Sequence, residues 1–550
     1  MSPRARRALF AAATTAFAFG HVLVARGSLV GRPEGELRDH AWVAWVVREA
    51  LAHGRSPLHT ALGGAPDGVA LYPLDPLHQA FITLWSGALG LVGAMNLHAA
   101  ASYFVLVYGA QKLAAGRGAL AELTIGALGA LSPAFLGPFA DTQTEGMAAG
   151  WLLLFLGELC SPQPRAARAA LWGAILVGTG PYLAHAVAVL AGLLWMWRRL
   201  SLRWAAAVLV WSAFLAATMW VTEARPGGAL GARAAQMADA ARPPRSSPLG
   251  VQAPPPLPDT GVARRVAAYP GAAETGPRRH APWLLGALVV LALREPRARL
   301  PAALAVGYAL VAAGNRWGAT QLDVPTPYDL FWRVYPLARF AWKPAQYAVP
   351  ATAFALLAAA GAFPLPGPAP GWRRWAAPAL AIGAVVELVL RSPTPLPLPA
   401  VRLEPRPVWL TLGEGGAVVE YPCRDRSPPG APPVADVLLG PLWHGRALGE
   451  SHRGPHDRAN ARGAHPRLLD ALEAAATGRG DDALAHAVPR AAADGFTDLL
   501  VLGAVLGEAP TARLARALEA SGATRVATPD GAPAWPDGVQ HYRLRVADVP

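Results

Sequence analysis

Three observations predict a mainly α fold class: a polytopic helical membrane protein with a C-terminal extracytoplasmic α/β domain. Of 550 residues, 53% are hydrophobic and only 15% are charged, where soluble domains carry about a quarter. The apolar residues form unbroken stretches close to the roughly 20 that a spanning helix needs. After residue 391 no stretch is long enough to span, and short strand-like and helix-like runs alternate instead.

Eleven segments have the length and apolarity of spans: about 8–26, 97–114, 118–138, 145–160, 167–181, 183–197, 203–221, 281–294, 299–315, 345–363 and 374–391. The first follows Arg4, Arg6 and Arg7 and lacks a small-residue cleavage site, so it reads as an uncleaved anchor. The excess of 49 Lys and Arg over 36 Asp and Glu gives a net charge of +13. Lysine occurs only at Lys112 and Lys343, and the short basic loops lie beside apolar segments. That pattern reads as membrane topology rather than a nucleic-acid surface. Cys160 and Cys423 lie far apart, so neither a disulfide framework nor a cysteine zinc cluster is expected.

With a cytoplasmic N-terminus, the loops holding Lys112/Arg117, Arg165/Arg168, Arg198/Arg199/Arg203, Arg294/Arg297/Arg299 and Arg373/Arg374 all fall inside, as the positive-inside rule requires. This holds only if 77–95 does not span. Its start, Tyr72-Pro73-Leu74-Asp75-Pro76, suits a helix that lies at the outer interface or re-enters. The layout divides the chain into a transmembrane part, 1–391, with large outward loops at 27–96, 222–280 and 316–344, and an outward domain, 392–550. In that domain 417–421, 499–502 and 540–544 read as strands, and 468–476 and 511–520 as helices. The expected location is the bacterial inner membrane, with the C-terminal domain periplasmic.

The first outward loop carries the most chemistry. Across a helix-compatible stretch from 36 to 53, Glu36, Asp39, His40 and Val43 share one face at 100° per residue. Two carboxylates and an imidazole thus gather at a helix start. Acids are also favoured there by the helix dipole alone, and Trp42 and Trp45 suit interfacial anchors as well as a substrate platform. Asp141 and Glu145 bracket the start of the fourth span, where they serve equally as cap and first-turn acid. Arg339 and Lys343 precede the tenth span, where snorkelling is the plain reading. His185, beside Pro181-Tyr182, reads as a packed, hydrogen-bonded residue before a ligand.

The run Glu36…Trp42-x-x-Trp45…Ala50-Leu51-x-x-Gly54-x-x-Pro57-Leu58, then Ala65-Pro66-Asp67-Gly68, resembles the first periplasmic loop of bacterial GT-C-class polytopic membrane glycosyltransferases. More narrowly it is similar to YfhO-like membrane proteins and their relatives. Asp141-Thr142-Gln143-Thr144-Glu145-Gly146, the segment Tyr335–Tyr347 with Arg339 and Lys343, and Ala417–Pro422 with Trp443-His444-Gly445 fit the same resemblance. It departs in two places. The first-loop acid in these proteins is usually Asp, where Glu36 stands here, and the Arg residues flanking the late proline are replaced by Trp342 and Gln346.

The resemblance implies transfer of a sugar from a polyprenyl-phosphate-linked donor to an envelope glycan, lipid or protein acceptor on the outer face of the membrane. Asp39 or Glu36 would then serve as catalytic base. Asp141 and Glu145 would assist or hold a divalent metal such as Mg or Mn, since carboxylates suit hard cations. Arg339 and Lys343 would face the donor phosphate, and Trp42, Trp45 and His40 would form the substrate platform. Membrane lipids are expected partners, and nucleic acid is not. The alternatives are a non-catalytic envelope scaffold and a transporter; against the latter, Glu122, Glu158 and Glu387 lie toward span ends rather than along a pathway.

Overall fold

The structure is a computed structural model that describes residues 1–184, 283–312, 347–422 and 464–545 apart from short stretches (33–36, 61–68, 71–74, 145, 366–370 and 529–534 among them), together with 316–317, 320–321, 327 and 330–331. The chain divides into two compact units. The first comprises Met1–Leu37, Leu74–Thr222 and Ala238–Arg402, and the second Arg38–Pro73, Glu223–Met237 and Leu403–Pro550.

The first unit is helical. Ser2 caps α1 (Pro3–Val24), its hydroxyl accepting from the Ala5 amide at 3.2 Å. A short strand, β1 (Ser28–Val30), follows, and α2 (Leu37–Ala52) starts on the last residue of this unit. Two small ribbons come later in the chain, β2 (His59–Thr60) with β3 (Val69–Ala70) in the second unit, and β4 (Arg316–Trp317) with β5 (Thr320–Gln321) in the first. Helix α3 (Pro76–Leu113) is broken at Gly90, whose φ is 70° and ψ 168°. His78 and His98 lie twenty residues apart, about 30 Å along a straight helix, yet their ring centroids are 4.3 Å apart. The arm before Gly90 therefore folds back on the arm after it. The first arm, 76–89, covers most of the helix expected at 77–95, and it turns back beside the second arm instead of extending it.

Helices α4 (Ala119–Leu131) and α5 (Pro133–Ala140) meet at a 47° bend before Pro133. Then come α6 (Ala149–Leu159), α7 (Ala166–Thr179), α8 (Trp283–Ala292), α9 (Pro296–Ala312), α10 (Ala348–Ala360) and α11 (Gly371–Arg391). Nine of the eleven expected spans fall on these helices; 203–221 and nearly all of 183–197 lie outside the described residues. By length and apolarity, Pro3–Val24 and Pro76–Leu113 each suffice to cross a membrane, and the bent α4–α5 pair does so if taken as one span. Helix α3 packs against α1, α4, α6 and α7, and α4 also packs against α11.

Buried ion pairs gather at one end of this bundle. Arg6 pairs with Glu122 at 2.8 Å, and Lys112 with Glu158 at 3.4 Å. The second oxygen of Glu158 accepts from the Arg165 amide at 2.9 Å. Arg117 donates to the carbonyls of Gly361 and Phe363 just past α10, completing acceptors that a helix end leaves open. These are the basic residues that the charge distribution groups on one side of the membrane.

The second unit contains a four-stranded sheet in the order β7-β8-β10-β9. Its elements are β7 (Ala417–Tyr421), α12 (Ala464–Thr477), α13 (Asp482–Ala493), β8 (Phe496–Leu502), α14 (Gly503–Leu506), α15 (Glu508–Ala520), β9 (Thr524–Val526) and β10 (Val539–Arg543). Strands β7 and β8 run parallel, and the other pairs are antiparallel. Alternation along the strands sends Val419, Leu499, Val501 and Tyr542 into a core with Leu468, Leu472, Leu484 and Leu514. The alternate positions hold buried polar pairs: the Trp409 indole donates to Glu420 at 2.8 Å, and His541 meets Asp498 at 2.7 Å. The strands and helices expected at 417–421, 499–502, 540–544, 468–476 and 511–520 fall on β7, β8, β10, α12 and α15.

Candidate functional site

The described part of the site is the end of the first unit opposite its ion pairs. Asn96 lies sixteen residues before Lys112 on α3, and Val22 lies sixteen after Arg6 on α1. Each interval is about 24 Å of helix, close to the roughly 30 Å of a hydrocarbon core. The two meet, the Asn96 amide donating to the Val22 carbonyl at 3.4 Å.

Beneath this end lies an aromatic triad from three helices. Phe19, Tyr103 and Phe139 are fully buried, with ring centroids 5.4–6.1 Å apart. Tyr103 donates its hydroxyl to the Ala130 carbonyl at 3.1 Å, which satisfies the one polar atom of the cluster. On this floor sits the root of the first loop. Strand β1 pairs antiparallel with β6 (Ala400–Arg402), the segment that leads to the second unit. Its other edge is held by side chains. Asn96 Oδ1 accepts from the Val30 amide at 2.9 Å, and Asn96 Nδ2 donates to the Ser28 carbonyl at 2.7 Å. Thr142 donates its hydroxyl to the Val30 carbonyl at 2.5 Å, and the Arg32 amide donates to the Ala140 carbonyl at 2.6 Å. The root of the first loop and the turn that carries Asp141 are thus bonded together.

Asp141 ends α5 as its C-cap, its amide bonded to the Gly137 carbonyl at 2.8 Å. The sequence expectation of an N-cap for the next span is corrected here. The chain makes a tight turn through Thr142, at φ 59°, and a 3₁₀ turn, Gly146–Ala148, precedes α6. A carboxylate at a helix C-terminus faces the negative end of the dipole, which costs about 0.3–1 kcal/mol. Helix stability therefore gives no reason for an acid at this position.

In the second unit, Asp39 stands in the first turn of α2, half-buried, with His40 beside it. The dipole there stabilises its charge. Trp42 and Trp45 are buried at 0% and 5% exposure, so their faces are covered by packing. Glu36, Glu145, Arg339, Lys343, His185 and Trp443-His444 lie outside the described residues. Asp39 and Asp141 belong to different units, and among the described residues no three His, Cys, Asp or Glu side chains are placed to hold a metal ion. The described residues alone do not make a site for the expected Mg or Mn.

Sequence reasoning passed over two features of this end. One is Asn96, whose amide inside an apolar run is itself a signal, because an amide in a spanning helix needs partners. The other is a buried polar cluster at the start of α3. The Gln79 amide donates to Asp75 at 3.1 Å, His78 Nδ1 lies 3.6 Å from Asp75, and the Ser102 hydroxyl is 3.3 Å from His98 Nε2.

The sequence matches no protein-family model, and no curated protein matches it significantly. Solved structures do match. The arabinofuranosyltransferase AftD from Mycobacteria aligns over 99% of this chain and 40% of its own, with a TM-score of 0.57 and 17% identity. An Archaeoglobus fulgidus oligosaccharyltransferase, solved with Zn and sulfate, aligns over 100% of this chain and 74% of its own, with a TM-score of 0.50 and 11% identity. This chain spans less than half the length of AftD. These likenesses support the GT-C class read from the sequence and not the narrower YfhO-like relationship. The chain of apolar helices shares the overall fold of these two solved structures.

Proposed function

We propose that this protein is a membrane glycosyltransferase. It moves a sugar from a polyprenyl-phosphate-linked donor to an envelope glycan, lipid or protein acceptor at the outer face of the inner membrane. The observation that carries this reading is the match of 99% of the chain to the fold of an arabinofuranosyltransferase. An acid in the first turn of α2 supports it, because that is the loop where the resemblance expects the base.

The reaction needs few parts. Asp39, or Glu36 in its place, takes the proton of the acceptor hydroxyl as that oxygen bonds to the anomeric carbon of the donor. The bond from that carbon to the phosphate oxygen breaks, and the polyprenyl phosphate leaves with the electron pair. Arg339 and Lys343 supply positive charge to the departing phosphate, Arg in a bidentate manner. A prenyl donor is anchored in the bilayer, so the reacting phosphate stays at the membrane surface, and the donor presents itself to a membrane-embedded enzyme.

The test is transfer by the full chain in lipid nanodiscs, supplied with polyprenyl-phosphate pentoses and hexoses and an envelope glycan extract, with products read by mass spectrometry. Wild type should transfer at least one sugar, and Asp39→Asn with Glu36→Gln should reduce transfer by about 10²–10⁴, the usual worth of a positioned base. Undiminished transfer by the double variant would remove these acids from the mechanism. Absence of transfer from every donor would remove the activity itself.

A further inference from the structure

We propose that the end of the first unit that carries its ion pairs also holds the headgroup of an anionic phospholipid, between the α8–α9 turn and the start of α11. This needs only that the unit sits in a membrane, and it is independent of the transferase reading. It starts from a difference among the cations of this end. Arg6 and Lys112 are neutralised by buried carboxylates, Glu122 and Glu158. The α8–α9 turn and the first turn of α9 carry Arg294, Arg297 and Arg299, all exposed, with one acid, Glu295. Glu295 acts on Arg117, which is half-buried beside it. Among the described residues Arg294, Arg297 and Arg299 form no ion pair. The nearby stretch 361–386 contains no acid and adds Arg373 and Arg374 at the start of α11.

The packing brings these segments together. Glu387, near the end of α11, accepts the Trp283 and Leu284 amides at 3.2 and 2.9 Å, so α8 starts where α11 ends. The other end of α8 returns to the start of α11, where the Arg294 guanidinium lies 4.9 Å from the centroid of the Trp372 ring. Arg299 folds back over the turn, its Nε donating to the Leu293 carbonyl at 3.0 Å. Arg117 donates to the Gly361 and Phe363 carbonyls, and a methyl group added at Gly361 would lie 2.8 Å from Ala298 Cβ, so the loop before α4 is tied to the same place. Beside the cations the surface is apolar: Trp372 and Trp375 are 52% and 77% exposed, and Leu293 41%. Guanidinium groups grip a phosphate through paired N–H donors. Indoles anchor at the level of lipid headgroups, and basic clusters beside a span attract anionic lipids. Cations flanked by exposed indoles therefore fit a phosphate that carries acyl chains; a free phosphate would use the cations alone.

The test titrates the full chain in detergent with phosphatidylglycerol or phosphatidylcholine whose acyl chains are brominated, and reads tryptophan quenching. Each protein is measured with and without Trp372→Phe, and the difference isolates the indole at the site. Phosphatidylglycerol should quench Trp372 saturably, at a concentration lower than phosphatidylcholine by about tenfold or more. Arg297→Gln should raise the half-saturating concentration about fivefold, and Arg294→Gln with Arg297→Gln should raise it further. Arg391→Gln makes the same charge change about 28 Å along α11 from Trp372 and should leave the titration as in wild type. Arg297 donates no hydrogen bond among the described residues, so Arg297→Gln should unfold with heat as wild type does in phosphatidylcholine, and it decides the matter if the double variant does not fold. Excess inorganic phosphate should not displace the lipid. Equal quenching of Trp372 by the two lipids would overturn the proposal. So would an equal effect of Arg391→Gln, which would mean a general response to charge, or displacement by inorganic phosphate, which would mean an anion site without a lipid.

Discussion

Arg6 meets Glu122 at 2.8 Å where α1 and α4 begin, and Arg7 lies 3.6 Å from the same carboxylate oxygen. The Glu122 side chain is 4% exposed and Arg6 26%. A carboxylate this deep is stable only while paired. Arg6→Met leaves Arg7 as a poorer partner, so stability should fall by about 1–2 kcal/mol. Arg6→Met with Glu122→Met removes the charge along with its partner and should recover part of the loss. Thermal unfolding in detergent of Arg6→Met, Glu122→Met and the double variant checks this, and a double variant that loses as much as the sum of the singles would show that the pair is not coupled.

Helix positions were legible in the sequence because apolar runs impose them: the runs at 167–181 and 345–363 fall on α7 (Ala166–Thr179) and α10 (Ala348–Ala360). The folding back of α3 was legible only in part. Proline at its start marked a separate helix, but the turn depends on Gly90 taking a positive φ, and any of several glycines in that run is able to do so. The polar staple of β1 was not legible. Asn96 stands 66 residues from Val30, and no local pattern records a pairing at that range. Asp141 was found as a residue and misplaced as a cap, because an acid before an apolar run is the usual N-cap signature, and here an intervening 3₁₀ turn moves the next helix on to Ala149.

Gly31 is a position where side-chain addition should be costly. Its φ is 141°, which residues with a Cβ rarely adopt, and its α-carbon faces Leu37 and Thr142. Gly31→Ala should destabilise the first unit by about 1–3 kcal/mol and loosen the 28–32 amides. Hydrogen exchange and thermal unfolding test this together. Wild-type values in both would mean that the loop root is free to shift.

Tyr542 makes the second unit sensitive to alkali. Burial, with Glu519 adding and Arg525 opposing, pushes its phenol from the ordinary value of about 10 up to about 12. The folded chain therefore keeps a proton that the unfolded chain releases. The stabilisation this gives is whole below about pH 10 and is lost as the pH rises toward 12. Tyr542→Phe should flatten that alkaline fall. It should also cost about 1 kcal/mol near neutral pH, since the hydroxyl no longer donates to Gln540 Oε1 at 2.8 Å. Denaturant unfolding of the full chain at pH 9, 10, 11 and 12 is the measurement, and equal slopes for the two proteins would refute the assignment.

Asp141 separates stability from activity. The acid caps the wrong end of α5 for its charge, half-buried, in a turn where Thr142 holds a positive φ. Neutralising it as Asp141→Asn keeps size and hydrogen-bonding shape and relieves a dipole repulsion of only about 0.3–1 kcal/mol, so the melting temperature should stay close to that of wild type. If the carboxylate assists the base or the departing donor, the same variant should lose transfer by about tenfold or more. A loss in kcat at unchanged stability is the mark of a residue kept for function. The turn is held by backbone bonds, Asp141 to Gly137 and Gln143 to Pro138, which the substitution leaves in place. Melting temperature and kcat on the same preparation separate the cases. A variant that loses stability and activity together would make Asp141 a structural residue, and one that keeps stability with full activity would place the acid outside the reaction.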